Sequence, residues 1–326
     1  MADITKIEGN VVTKTMQDKI LLYYGPPGTW KTTTAVGDIA TTLLGAFEIG
    51  YKFIPGVKAA NLTSWAGLKD IVRQLSTVEA KAMYKTFVID TIGLAYKACI
   101  SFICAREGVV SIGKIPYGQG YSMAKDEFEK LIHKIPQMGY GLVMIAHSNE
   151  LNDEENGVSV KVDIDKRPSS VIKGMADFIL YARKEKREEA ESDDDMAVYG
   201  YSQTVNPNIE VKSRARFFPK KVLFTHEAIT AALIKAVEDQ DVFFGVTSSN
   251  EANFGIYEDT EIDLKALKEE VTALAQDLLK EAQTEDKVRK IISTNLDVRV
   301  SVTTKMHIPK LYLIRDQLVE LKKGSE

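Results

Sequence analysis

The run Gly25-Pro26-Pro27-Gly28-Thr29-Trp30-Lys31-Thr32-Thr33 directly follows the apolar stretch Ile20 to Tyr24 and opens a segment that reads as helix to near Leu44. Strand, glycine-containing loop, Lys-Thr and helix in that order make up the phosphate cradle G-x-x-x-x-G-K-[ST]. In such a loop the backbone N–H groups turn inward around phosphate oxygens, with the positive end of a helix dipole behind them. The pattern predicts a nucleoside triphosphate site walled by Gly25, Pro26, Pro27, Gly28, Thr29, Trp30 and Thr33. Lys31 is then placed to reach the β- and γ-phosphates, and the Thr32 hydroxyl to coordinate Mg²⁺, a hard cation that takes oxygen ligands. One position departs from the pattern: Trp30 stands where the second glycine belongs. A large residue there restricts the backbone and has to send its indole out of the cradle, while its own N–H can still face phosphate. The competing reading is a Gly/Pro turn between a strand and a helix.

With 326 residues the chain can bury a full core and carry a smaller unit beside it. No apolar run approaches the roughly eighteen residues of a membrane span, and Met1 to Lys6 lacks the charged-then-apolar pattern of an export signal. A cytoplasmic protein without membrane contact is expected. Cys99 and Cys104 have neither a CxxC spacing nor a nearby histidine, so they read as buried apolar fillers rather than as a disulfide or a zinc site. A net charge of −4 excludes a uniformly basic nucleic-acid coat but leaves room for local basic strips.

Strand and helix readings alternate along the first two thirds of the chain. Strands are expected at Ile20 to Tyr24, Phe47 to Ile49, Thr86 to Ile89 and Gly141 to Ala146. Helices are expected from Lys31, at Trp65 to Leu75, at Ile92 to Arg106 and at Ala124 to Ile135. This order predicts an α/β fold, a mostly parallel sheet covered on both faces, with ligands at the strands' carboxyl ends. After Asp177 the pattern changes to hairpins added at one side of the sheet, with the charged stretch Lys184 to Asp195 as an exposed turn. His226 to Val237 reads as a closing helix. The core is therefore placed at 1–240, an acidic linker at 241–261 and a small helical module at 262–326. In the module Leu264, Leu267, Val271, Leu274 and Leu278 recur at helical spacing behind Asp263 as N-cap, followed by helices at Asp286 to Ser293 and Pro309 to Leu321. The heptad pattern is too short to indicate a coiled coil.

Thr86-Phe87-Val88-Ile89-Asp90 is an apolar strand ending in a carboxylate. In a P-loop protein such a carboxylate holds Mg²⁺, through water or through the loop's hydroxyl, which makes Asp90 and Thr32 the metal residues. Together with Trp65 and the strings Val88 to Gly93, Tyr117-Gly118-Gln119-Gly120-Tyr121, Met144 to Ser148 and Lys212 to Pro219, this motif resembles the phage-encoded RecA-like ATPases. Within that group it looks like the single-strand annealing ATPases of phage recombination modules. The likeness covers Lys19 to Val237.

The resemblance implies ATP and Mg²⁺, a homo-oligomer (ring or filament) and single-stranded DNA as partner. It places Glu48, after the second strand, where the family carries the carboxylate that polarises the attacking water, so Glu48 joins Lys31 as a catalytic candidate. It places His147 where the terminal phosphate is sensed. Each has a plainer reading, Glu48 as a solvated strand end and His147 as a structural histidine. Lys212, Arg214 and Arg216 alternate along a strand reading, so all three fall on one side. The family implies that they reach a neighbouring subunit's nucleotide; the alternative is a solvated basic edge.

Two segments combine cations with planar side chains: Arg106 to Lys125, with Lys114, Tyr117 and Tyr121, and Ser148 to Arg167, with Lys161, Lys166 and Arg167. Both correspond to DNA-facing loops of the RecA-like group, and bases could stack there. Three functions compete: an ATP-hydrolysing DNA recombination protein, an ATP-gated annealing module without turnover, and a replisome adaptor or loader whose helical module holds a partner such as a single-strand-binding protein.

Overall fold

The computed structural model describes residues 11–153, 157–187, 195–204, 206–249, 264–280, 284–295 and 308–323. Asp263 and most of the expected linker lie outside these residues. The chain divides into two compact units, Met1–Tyr257 and Glu258–Glu326.

The larger unit is built on β1 (Ile20–Gly25), β2 (Thr42–Ala46), β3 (Lys58–Asn61), β4 (Thr86–Asp90), β5 (Gly141–Asp153), β6 (Gly157–Val162), β7 (Phe178–Lys186), β8 (Met196–Tyr201), β9 (Lys212–Ser213) and β10 (Lys221–Leu223). The strand order is β10-β8-β7-β1-β5-β4-β2-β3. Every pair from β7 to β3 is parallel, while β8 and β10 add antiparallel strands at one edge. The parallel strands are apolar on both faces because both faces are covered. Alternate residues separate cleanly: Leu22, Tyr24, Phe87, Ile89, Leu142 and Met144 enter one core, and Leu21, Tyr23, Val88, Val143 and Ile145 the other.

The first core is closed by α2 (Trp65–Gln74), α4 (Ile92–Arg106), α5 (Gln119–Gln137) and α6 (Lys166–Met175). At its centre Phe128 stacks on Trp65, ring centroids 5.7 Å apart, and meets the Tyr96 ring edge-on at 5.2 Å. The Trp65 indole N–H donates to Glu127 at 3.1 Å, which satisfies the buried ring's polar atom. The second core is closed by α7 (His226–Phe244), through Ile229, Leu233 and Val237. Serine and threonine caps start these helices: Ser64 accepts from Gly67 N–H and Thr225 from Ala228 N–H.

Several expectations shift. The helix after the loop, α1, is only Lys31–Ala35, and Leu44 lies in β2. The chain turns at Gly37, against which His226 packs so closely that a Cβ would fall 2.0 Å from its ring, and Thr41 then bonds back to Asp38. Strand β2 stops at Ala46 because the N–H groups of both Phe47 and Glu48 turn to the Asp90 carbonyl. Strand β3 and helix α3 (Val78–Met83) are additional elements. The segment Ser148 to Arg167 is the β5–β6 hairpin and the start of α6 rather than a loop. In the other segment, Ile112–Lys114 and Pro116–Gly118 form 3-10 turns, and Tyr121 and Lys125 already lie on α5. Helix α7 runs past residue 240, to Phe244. Both cysteines are buried and free.

The smaller unit contains α8 (Leu264–Leu278), α9 (Glu285–Asn295) and α10 (Ile308–Lys323). Val271, Ala275, Leu278, Val288, Leu311, Ile314 and Leu318 form its core.

Candidate nucleotide-binding site

Register brings the site together. Gly25 at the end of β1 pairs with His147 of β5, Ile145 of β5 with Asp90 of β4, and Asp90 with Ala46 of β2. One edge of the parallel ladder thus carries the loop at the end of β1, the histidine where β5 leaves the ladder, the aspartate at the end of β4 and, two residues beyond Ala46, Glu48. This is the edge at which ligands meet parallel sheets.

The loop 25–30 is shaped by two glycines. Gly25 lies so close to β7 that a Cβ would come within 2.3 Å of the Ala182 carbonyl oxygen. Gly28 takes φ +78° at an open position, where a left-handed backbone suits glycine. Trp30, at the helix N-cap, also adopts a left-handed conformation, φ 52°, with its side chain 59% exposed. The cradle therefore keeps the backbone geometry that glycine would have supplied, at a cost of roughly 1–2 kcal/mol for a residue carrying a Cβ.

Lys31 is buried and donates to the Gly25 and Pro26 carbonyls at 2.9 and 2.8 Å and to Thr29 Oγ1 at 3.3 Å. Burial pushes its ammonium down to about 8, against the pull of the Asp90 and Glu48 carboxylates. Thr32 Oγ1 donates to Asp90 Oδ2 at 2.6 Å. Burial lifts the Asp90 carboxyl above its ordinary range, opposed by the Thr32 bond and reinforced by Glu48. The two oxygens fit a divalent ion: a buried carboxylate with its charge unfavourably solvated sits against a hydroxyl, beside an open loop of amides. Gly50 completes the enclosure, since a Cβ there would lie 3.5 Å from Thr32 Oγ1 and 3.9 Å from Asp90 Oδ2. Nothing in the sequence around Gly50 marks it as part of the site.

Glu48 Oε2 accepts from His147 Nε2 at 3.1 Å, while the His147 Nδ1 atom is buried and has no hydrogen-bond partner among the described residues. Thus Lys31, Thr32, Asp90, Glu48 and His147, five candidates drawn from four separate segments, form one constellation. Thr33, by contrast, is exposed on α1.

The basic candidates divide. A strand over 212–216 does not form: β9 is two residues long, so the three cations do not share one strand face. Lys212 donates to the Lys173 and Gly174 carbonyls at the end of α6, and Arg214 to Gly174 O and Asp177. Both therefore cap a helix of their own chain. Arg216 is exposed, its guanidinium 4.6 Å from the Phe243 ring centre. Of the polynucleotide candidates, Arg167 lies over the Tyr121 ring at 4.0 Å. Tyr117 is 98% exposed in a left-handed backbone, φ 57°. Lys114, Lys161 and Lys166 are exposed, on a 3-10 turn, on β6 and in the first turn of α6.

Comparison with known proteins agrees with this geometry. Residues 17–225 match the AAA domain family, and the chain belongs to that family. Over 332 aligned residues, 98% of each chain, it is 26% identical to the SPbeta prophage-derived uncharacterized protein YorG of Bacillus subtilis (strain 168). An AAA-type P-loop protein is therefore the class that fold, site and family match define. Among the described residues no helix is long and apolar enough to cross a membrane.

The position of Lys31 has a pH consequence. Phosphate favours its charged form, and the free protein loses that proton near pH 8. Nucleotide binding is then expected to take up a proton above this pH, with affinity falling by up to about tenfold for each further pH unit. Calorimetry at pH 7, 8 and 9, in buffers of different ionisation enthalpy, measures both effects. A pH-independent affinity would contradict the buried-ammonium assignment.

Proposed function

We propose that the protein is an ATPase whose turnover is coupled to binding single-stranded DNA, acting as a homo-oligomer in phage strand annealing or recombination. The observation that carries this reading is the convergence of Lys31, the Thr32–Asp90 pair and the Glu48–His147 pair on adjacent strand ends. In this reading the loop amides and Lys31 hold the β- and γ-phosphates, and Thr32 and Asp90 hold Mg²⁺. When bound, the ion supplies charge neutralisation at the phosphates. Glu48 orients the attacking water and accepts its proton, a role that needs the carboxylate released from His147.

The DNA part of the proposal rests on continuity and on exposed planar groups. Strand β5 carries His147 and continues to Asp153, where it pairs with β6, a continuity that supports coupling between that ring and the hairpin. Beyond the hairpin, Arg167 stacks on Tyr121, and Tyr117 presents an exposed ring in a backbone conformation that aromatic residues rarely adopt. Of the three late cations, Arg216 is the one we assign to the neighbouring subunit's nucleotide. The helical unit is assigned to partner binding, with a single-strand-binding protein as the candidate.

A second reading, an ATP-gated adaptor or loader with little turnover, is favoured by Trp30 in the glycine position and by the Glu48–His147 bond that already occupies the carboxylate. Turnover separates the two. The hydrolytic reading expects ATP hydrolysis that single-stranded DNA stimulates. Lys31→Ala and Glu48→Gln should each lower it at least about a hundredfold, and only Glu48→Gln should keep nucleotide affinity. Turnover unchanged in Lys31→Ala would refute the cradle; binding without turnover in the native protein would favour the adaptor.

A further inference from the structure

Glu48 and His147 also form one end of a second cleft, about 450 Å³ in volume, that runs between the first turns of α4 and the Asp163–Asp165 segment ahead of α6. Its polar lining includes the exposed carboxylates Asp163 and Asp165, with Lys97 across from them on α4. Leu94, Ile100 and Ile164 supply apolar wall. Tyr96, only 2% exposed, also lines the cleft, and its hydroxyl has no hydrogen-bond partner among the described residues. A buried hydroxyl left in that state is uncommon and calls for an explanation. The Tyr96 phenol shares the cleft wall with Asp165. Burial, reinforced by Asp165, pushes it up to about 12, and it remains an O–H donor in neutral solution.

These features describe the ligand. Asp165 Oδ1 already accepts from the Arg167 backbone N–H at 3.0 Å; since carboxylates can only accept, a ligand that pairs with Asp163 or with the second Asp165 oxygen brings N–H donors. The Tyr96 hydroxyl offers a donor and an acceptor, and the apolar walls suit the faces of a flat ring. Lys97 in the cleft wall, and Arg167 stacked on Tyr121 just after Asp165 in the chain, suit a phosphate and an adjoining base. We propose that the cleft receives one unpaired nucleobase carrying an exocyclic amino group, drawn from the bound single strand and seated against Glu48 and His147. The inference rests on the DNA-coupled reading above and adds to it a base requirement: backbone contacts bind the strand, and the inserted base signals to the hydrolytic pair.

The test compares three oligonucleotides of equal length, oligo-dC, oligo-dT and an abasic strand, for binding and for stimulation of ATP turnover. Cytosine presents an amino donor where thymine presents a carbonyl acceptor, and the abasic strand presents neither. All three are expected to bind within a few-fold of one another, because phosphate contacts dominate affinity. Oligo-dC should stimulate turnover roughly tenfold more than the other two, the scale of a hydrogen bond to a charged group. Tyr96→Phe keeps the ring against Phe128 and should bring the dC-to-dT stimulation ratio close to one with the melting temperature held. Equal stimulation by the abasic strand, or an unchanged ratio in Tyr96→Phe, overturns the base cleft while leaving DNA-coupled hydrolysis intact. If Tyr96→Phe and Asp165→Asn instead lower only the oligomer mass, the cleft takes a neighbouring subunit's side chain and the proposal fails. Absence of binding by any strand overturns both this inference and the reading beneath it.

Discussion

The register of the parallel ladder β1–β5–β4–β2 is the constraint on which the site depends. Side chains alternate across a strand, so a slip of one residue in any pair would exchange its two faces and carry one functional group away from the others. The register is held by burial on both faces: Leu22, Phe87, Ile89, Leu142 and Met144 are committed to one core, and Tyr23, Val88 and Ile145 to the other. Chemistry at the strand ends is thus positioned by packing in the strand middles. The Asp90 carbonyl strengthens the connection, because by accepting from both Phe47 and Glu48 it fixes where β2 ends and Glu48 begins.

Within that frame the two sides of the site differ in solvation. Lys31 and Asp90 are buried, and burial works against the charge on each, lowering one proton affinity and raising the other. A triphosphate with its divalent ion would relieve both at once, the phosphate facing the ammonium and the cation facing the carboxylate. Glu48 and His147 are more open to solvent and already bonded to each other. Trp30 adds backbone strain beside the anchor, and strain of this kind concentrates where ligands bind.

Much of this was legible in the chain, for identifiable reasons. Buried parallel strands are continuous apolar runs, so β1, β4 and the start of β5 stood out, as did the loop and Asp90, whose chemistry is local in sequence. Glu48 and His147 were legible only through resemblance, since nothing in their own surroundings marks them. Strand β3, Lys-Ala-Ala-Asn at the sheet edge, has no apolar pattern to read, and α3 is a short helix with no buried residue. The β5–β6 hairpin was hidden because its polar residues resemble a loop. The regular alternation of Lys212, Arg214 and Arg216 imitated a strand that pairs over only two residues, because Arg214 turns to Asp177 and α6. The Tyr96 cleft left no sequence signal, as its walls are brought together from α4 and the return of the hairpin into α6.

Residues 25–32 and Asp90 read together as a Mg²⁺-dependent triphosphate site. Isothermal titration of the full chain with ATP, with and without Mg²⁺, tests it most directly, alongside Lys31→Ala and Asp90→Asn. One saturable site per chain is expected, abolished or greatly weakened in Lys31→Ala, with its magnesium dependence lost in Asp90→Asn. No saturable heat in the native protein, or an affinity unchanged by Lys31→Ala, would contradict it.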